Sequence, residues 1–427
     1  MLFKATLKRG FLISAYLLLV LYFVLFVLRD NGTWGILAAE DNILSPSETI
    51  AVSYQRLLDV YNNRSDADDV ELENQLYDIA ADLFDAARIA PMTISNRWKE
   101  LDTYEQNRFV GAFMASLQRK MLEQIKRFDD EGLPTLRVVN EKSGDRIAAI
   151  EYLVSGNREE KRVTVHMLRF ADGNWRISNI TFDNTSLVRH YFSLCSKTLE
   201  RYSLAFLEAE LSNSDYVVLE DFERYKVGKF PKGWHWRKKD RKKHKPYVIR
   251  EENGNKYLAA EDNGESVILG KDIKWNLKKY PYVSFRWRAH ILPKGGDERY
   301  GETVDSAAGI YFVFRKKFGL IPESIKYVWS TTLPVGSAMR RSGTGKPWMV
   351  VAESGDEHLG EWRTYVFNAY EAYKKTFGGR PPSRPIGLGI LTDANSTHSK
   401  AYADYDDIRA LKHADADSGI KKILKAE

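Results

Sequence analysis

One cysteine, Cys195, is all that this chain of 427 residues contains, so no intrachain disulfide and no cysteine-based zinc site can form. Its eight histidines are scattered, and none pair at metal-ligand spacing on a helix. There is no Gly-rich phosphate loop, no HExxH zinc motif and no GxSxG nucleophile elbow, which removes the chemistries those motifs carry. No repeat recurs at solenoid spacing. Nor is charge of one sign in large excess: 64 Lys and Arg against 58 Asp and Glu leave +6, a weak pointer to an anionic partner.

What is present is ordinary globular composition, 44% hydrophobic and 29% charged, in a chain long enough for two or three domains. One apolar run stands out. Residues 11–28, FLISAYLLLVLYFVLFVL, carry no charge and match the roughly 17–25 residues a transmembrane helix needs. Lys4, Lys8 and Arg9 precede it, so the positive-inside rule places residues 1–10 in the cytoplasm and everything after Arg29 outside it. A cleaved signal peptide would have a shorter apolar core, about 7–15 residues, with a small-residue site close behind. Here Arg29 and Asp30 follow directly, so the segment reads as an uncleaved anchor.

Residues 29–45 read as a linker, and Ser45-Pro46-Ser47 with Glu48 opens a helical region. Ile50, Tyr54, Leu57, Leu58 and Tyr61 share one face of it. A second helix, LENQLYDIAADLFDAARIAP, is expected to end at Pro91. The cleanest helix begins at Asp102 or Thr103, with Glu105 and Gln106 in its first turn. Phe109, Phe113, Leu117, Met121 and Ile125 make an unbroken i, i+4 ridge along it. DRIAAIEYLVSG then contains a strand, and a hairpin turns at Asp172-Gly173. From Ile177 to Cys195 the period changes: Ile177, Ile180 and Phe182 are strand-like, while Leu187, Val188, Tyr191, Leu194 and Cys195 recur at helical spacing. Ser186 and its neighbours are capping residues at the joint. Cys195 lies on the apolar helix face, where core packing is the commoner role.

Beyond residue 215 helical periodicity almost vanishes. Eleven short β-rich runs, from YVVLEDF to AYADYDDIRAL, alternate with Gly, Pro and Asn turns, and one helix, FNAYEAYKKTFG, interrupts them. That pattern predicts a jelly-roll-like β-sandwich. Trp287 and Trp329 sit in strands, where a core role outweighs a sugar-stacking one. The run GWHWRKKDRKKHKPY sets Arg237, Lys238, Lys239, Arg241, Lys242 and Lys243 beside Trp234 and Trp236. Such a run is most often a solvated loop. As a binding surface outside the cytoplasm it suits anionic lipid headgroups better than nucleic acid. LEDFE and ADYDDIR carry carboxylates at the first and last strands, and Asp221 with Asp407 is the candidate pair for a structural calcium.

Two paired motifs then acquire a meaning. Trp98, Glu105-Gln106, Phe109 and Phe113, followed by Trp175, Ile177, Asn179, Ile180, Ser186-Leu187-Val188 and Tyr191, resemble the MlaC or toluene-tolerance family. Those are periplasmic phospholipid carriers of Gram-negative bacteria. The resemblance spans about residues 46–205. Two departures stand out: the chain carries a tether, and Asn184-Thr185 replaces the family's usual Gly before the SLV turn. Asn tolerates the left-handed backbone such a turn needs. Residues 216–412 resemble a bacterial domain family of unknown function, sharing DFE…GW, Phe285-Arg286-Trp287-Arg288, YVW and the final TD…N…AYxDI segment.

The resemblance implies an α+β domain with helices on a curved antiparallel sheet, then the β-sandwich, with residues 206–215 as linker and 413–427 as a polar tail. It implies a bound phospholipid and no other cofactor, with Trp98, Phe109, Phe113, Leu117, Met121, Ile177, Ile180, Leu187 and Tyr191 lining the cavity. The expected protein is a non-enzymatic lipid carrier, single-pass in the inner membrane with its bulk in the periplasm. Its expected partners are phospholipid, the inner membrane and envelope lipid-transport proteins. Two alternatives stay open: an envelope carbohydrate-binding module carried on the β-sandwich, or a carboxylate-dependent hydrolase.

Overall fold

The computed structural model describes residues 44–63, 69–131, 135–155, 160–182 and 185–416. The expected anchor, residues 11–28, and Asn184 lie outside them. Among the described residues no helix is long and apolar enough to cross a membrane. The chain forms two compact units. One runs to Glu200 and takes in Leu211–Asn213; the other comprises Arg201–Glu210 and everything from Ser214 on.

In the first unit, helix α1 (Pro46–Asn63) starts on a capping box. The Glu48 amide donates to Ser45 Oγ at 3.3 Å and the Ser45 amide to Glu48 Oε2 at 2.7 Å. Helix α2 (Asp69–Leu83) and helix α3 (Ala86–Ile94) replace the single helix expected there. The break falls at Phe84-Asp85 because the chain bonds the sheet at that point: the Asp85 amide donates to the Ile177 carbonyl at 2.9 Å. Asp85 then caps α3 through the Arg88 amide at 3.1 Å. Pro91 sits inside α3 rather than ending it. The hydrogen bond it forgoes would go to the carbonyl of Ala87, a residue on the exposed side. A 3₁₀ turn (Ser95–Glu100) leads to the long helix α4 (Thr103–Glu131).

Four strands, β1 (Thr135–Ser143), β2 (Ile147–Ser155), β3 (Glu160–Arg169) and β4 (Trp175–Phe182), form an antiparallel meander, with the short β5 (Thr185–Ser186) beside β4. The strand β1 had no counterpart in the sequence reading. Its described residues are mostly exposed, so it carries no alternating pattern to read. The buried face runs through Ile150, Tyr152, Val163, Val165, Met167, Ile177, Ile180 and Phe182. Ile177 and Ile180 both point inward, although their spacing is not a strand's. The register shifts between His166 and Met167, so Ser178 is an extra residue in β4, and its Oγ donates to the His166 carbonyl at 3.1 Å. Helix α5 (Leu187–Leu199) follows at once. Helices α2, α3 and α5 pack on β4, and α4 packs on α2 and α3.

Helix α6 (Leu204–Ser212) comes next, with Leu204–Glu210 in the second unit and its last two residues in the first. Residues 206–215, expected as linker, are therefore largely helix, and Phe206 and Ala209 belong to the β unit's core. A two-sheet sandwich follows. One sheet orders β14 (Ala338–Met339), β15 (Trp348–Ser354), β13 (Ile321–Ser330), β12 (Ala308–Lys317), β17 (Gly387–Ile390), β10 (Leu269–Asp272) and β7 (His235–Trp236). The other orders β16 (Arg363–Asn368), β11 (Tyr282–Ile291), β18 (Ala401–Leu411), β9 (Asn255–Asp262) and β8 (Tyr247–Glu252), with β6 (Tyr216–Glu220) also on β18. Helix α7 (Ala369–Phe377) is the interruption expected. Inward aromatic residues join the sheets: Phe285 to Phe312 at 6.2 Å and Trp287 to Trp329 at 6.4 Å between ring centroids. Both tryptophans are fully buried, so they serve the core and not a sugar.

Candidate functional site

The long ridge is built from its N-terminus. Asp102 Oδ1 accepts from the Glu105 amide at 2.9 Å, and Glu105 returns the bond to the Asp102 amide at 3.2 Å. Gln106 Nε2 donates to the carbonyls of Trp98 at 3.2 Å and Leu101 at 3.3 Å, which ties the 3₁₀ turn to the helix. The Trp98 ring therefore lies 6.4 Å from that of Phe109. Phe109, Phe113, Leu117 and Met121 then follow one turn apart, each at 0% exposure. The side chain of Ile125, the expected end of the ridge, lies outside the described residues.

Opposite the ridge stands α5. Ser186 Oγ accepts from the Arg189 amide at 3.0 Å, and Asn179 Oδ1 accepts from the Val188 amide at 3.3 Å. One cap comes from the joint and the other from the strand, so the helix direction is fixed relative to β4. That orientation buries Leu187, Tyr191 and Cys195. The Tyr191 ring meets Phe113 edge-on at 4.8 Å, and its hydroxyl pairs with Ser116 Oγ at 3.0 Å. Burial pushes the Tyr191 phenol up to about 12 and the Cys195 thiol up to about 11, so both stay neutral and the cysteine has no thiolate to react with.

The nine expected cavity residues thus gather in the first unit's interior; Trp98 is half-buried at its edge and the other eight are buried. Sequence reasoning placed neither Ser116 nor the inward residues of β2 and β3 in the lining, although Val163, Val165 and Met167 alternate along one arm of the hairpin and are buried. Ser116 was findable, since it lies one helical turn beyond Phe113 on a face otherwise apolar. The arrangement offers a wide apolar contact between helices and sheet, with the Tyr191–Ser116 hydroxyl pair buried within it.

In the β unit the first and last strands are neighbours, as the acidic-ends argument requires: Glu220 pairs with Ile408. The calcium expectation nevertheless does not hold. Arg286 and Arg409 both reach Asp407, at 3.2 and 2.8 Å, and Arg286 also bonds Asp406. Asp404 is held by Arg288 at 2.9 Å and His290 at 2.7 Å. Guanidinium groups already supply the positive charge that a calcium ion would bring. Asp221 turns its carboxylate to its own loop, accepting from the Glu223 amide at 3.4 Å. Among the described residues no group of three His, Cys, Asp or Glu is placed to hold a metal. The Trp362 ring lies 4.7 Å from both the Arg286 and the Arg288 guanidinium, completing a layered outer face on this sheet.

The basic run leaves β7 and turns through a 3₁₀ segment, Lys238–Asp240. Lys238, Lys239, Arg241 and Lys242 are exposed, whereas Trp234 is buried with its Nε1 on Glu220 Oε2 at 2.8 Å.

Comparison with known proteins divides the chain in the same place. Residues 52–213 match the family model described as MlaC protein, and residues 232–409 match that described as a protein of unknown function, DUF3047. No curated protein matches the chain. Among solved structures, a phospholipid-binding protein from Ralstonia solanacearum, in complex with a phospholipid, shares 12% identity, with 40% of this chain and 96% of that one covered at a TM-score of 0.32. The VP5 protein of HRPV6, from a viral spike, shares 10% identity over 91% of this chain and 88% of that one, at a TM-score of 0.10. Scores this low carry no weight here.

Proposed function

From a chain that joins an MlaC domain to a DUF3047 domain, we propose a membrane-anchored periplasmic protein that binds phospholipid and passes it on within the cell envelope. The MlaC match supports the lipid. The observation that carries it in this chain is the gathering of Phe109, Phe113, Leu117 and Met121 against Ile177, Ile180, Leu187 and Tyr191 in one almost wholly apolar interior. Acyl chains are held there by burial alone, at about 0.8 kcal/mol per CH₂. Because the ridge is fully closed over by protein, loading requires the helices to part from the sheet, and lipid then replaces side-chain contacts of equal polarity. Residues 11–28 hold the chain at the inner membrane, close to a lipid source, and envelope lipid-transport proteins receive or supply the cargo. The reading assigns no catalytic step.

The test is extraction of the chain in mild detergent followed by lipid mass spectrometry, on wild type and on Leu117→Glu. Stoichiometric phospholipid in the wild type and its loss in the variant are expected. A lipid-free wild type in every extraction, or a variant that keeps its lipid, would overturn the assignment. N-terminal sequencing of the same preparation tests the anchor; a start near Glu40 would show it to be cleaved.

A further inference from the structure

The basic loop after β7 is a built object. At its centre is Asp240, at 0% exposure, which draws part of the basic run inward. Arg237 Nε donates to Asp240 Oδ2 at 2.7 Å, and Lys243 Nζ lies 3.7 Å from Oδ1. Lys243 also donates to the Glu265 carbonyl at 2.5 Å, and Lys245 to the carbonyl of Asp240 at 2.9 Å. Three cations are thus used to fix the loop. The remaining four, Lys238, Lys239, Arg241 and Lys242, are exposed around a single turn and form no ion pair among the described residues.

One apolar group stands beside them: Trp236, at 37% exposure. Phe230 packs at right angles to the Trp236 ring, 5.4 Å between centroids, which brings the exposed Lys229 and Lys232 to the same edge of the sandwich. Cations on a rigid turn around a part-exposed indole are suited to an interface that is anionic outside and apolar just beneath. Nucleic acid would share the charge preference but would also want the open ring face for base stacking. The Lys245 ammonium already sits 4.7 Å above the Trp236 ring.

We propose that this loop is a docking surface for an anionic lipid bilayer, with Asp240 as the internal clip that turns Lys238, Lys239, Arg241 and Lys242 outward and Trp236 as the group that enters the headgroup layer. The proposal concerns the β unit and stands whether or not the first unit carries lipid. Each outward cation is worth roughly fivefold in affinity near a charged membrane, so the four together supply at most several hundredfold.

The full chain is compared with one beginning at Leu44, which keeps every described residue and removes any contribution from the apolar run. The shorter chain's binding to neutral phosphatidylcholine vesicles is compared with binding to vesicles containing phosphatidylglycerol, by flotation. Binding to acidic vesicles only, reversed by salt, is expected. Neutralising the four outward cations to Gln should lower that affinity at least tenfold with an unchanged melting temperature, because the fold uses none of them in an ion pair. Asp240→Asn keeps every cation but releases the clip, and should also weaken binding. Equal affinity for neutral and acidic vesicles, full binding by the Gln variant or by Asp240→Asn, or tighter binding to duplex RNA than to acidic vesicles would each overturn the proposal.

Discussion

The two units are held together by different forces. In the first, helices meet the sheet largely through apolar side chains, and among its described residues the polar ties between elements include Ser116 to Tyr191, Asn179 to the Val188 amide, Asp85 to Ile177 and the exposed pair Arg56 to Asp82. In the β unit, charged side chains cross-link distant strands. Glu220, at 2% exposure, takes Lys271 at 2.7 Å, Trp234 Nε1 at 2.8 Å and the Tyr225 hydroxyl at 2.9 Å. Glu298 is held by two serines, and Asp305 by Thr397 and two backbone amides. Apolar contact is non-directional, so an acyl chain can take the place of a side chain with little change in energy. A buried charge has no such substitute. The contrast suits a first unit that opens and a second that keeps its shape.

The largest expected effect breaks a cross-link. Lys271→Met leaves the Glu220 carboxylate buried without its cation and should cost the β unit about 3–5 kcal/mol. Calorimetry should show only that unit's transition falling; a matching fall in the MlaC unit would mean the two are not held independently. Burial alone would raise the Glu220 carboxyl, but Lys271 holds it below the ordinary range, so wild type loses this contribution on acidification, whereas the variant, with burial unopposed, should recover part of its deficit as pH falls. Next comes overpacking of the ridge. Phe113→Trp should destabilise lipid-free protein by about 1–3 kcal/mol, and added phospholipid should change that deficit, since the lipid-loaded interior is packed differently. A deficit indifferent to lipid would mark Phe113 as plain core. Ser186→Ala removes the α5 cap and should cost about 1 kcal/mol, read as a lower denaturation midpoint of the first unit alone.

The smallest effect separates the units by pH. Burial lowers His166 and His190 below their ordinary value of 6.5, so the unfolded chain binds protons first and the MlaC unit loses stability as pH falls below about 6.5. Burial pushes Asp262 and Asp406 up to about 6 from 3.8, so here the folded state binds protons first. The β unit therefore gains from these groups as pH falls from about 6 toward 4. Melting each unit between pH 7 and 5 should move the two transitions in opposite directions; parallel shifts would contradict the assignment.

Local signals carried most of the elements. Caps at Ser45, Asp102 and Ser186 are written in adjacent residues, and all eleven β-rich runs of the second half contain strands. The failures were tertiary. Nothing near Phe84 announces that the chain will bond β4 and break its helix. Residues 206–215 read as a linker in sequence, and the membership of Phe206 and Ala209 in the β core is visible only in the fold. The arginines of Phe285-Arg286-Trp287-Arg288 meet aspartates 120 and 116 residues away, and read in isolation those aspartates suggested calcium. The ridge itself was legible, because i, i+4 spacing needs only one helix. What lies opposite it was legible only through the family resemblance.

The claim that the MlaC unit opens for lipid while the sandwich stays closed is tested most directly by hydrogen exchange with and without phospholipid. Amides of α4 and α5 should exchange measurably in lipid-free protein and slow several-fold when phospholipid is bound, while those of β11 and β18 stay protected throughout. Exchange in α4 and α5 that is as slow as in β11 and unmoved by lipid would contradict the account.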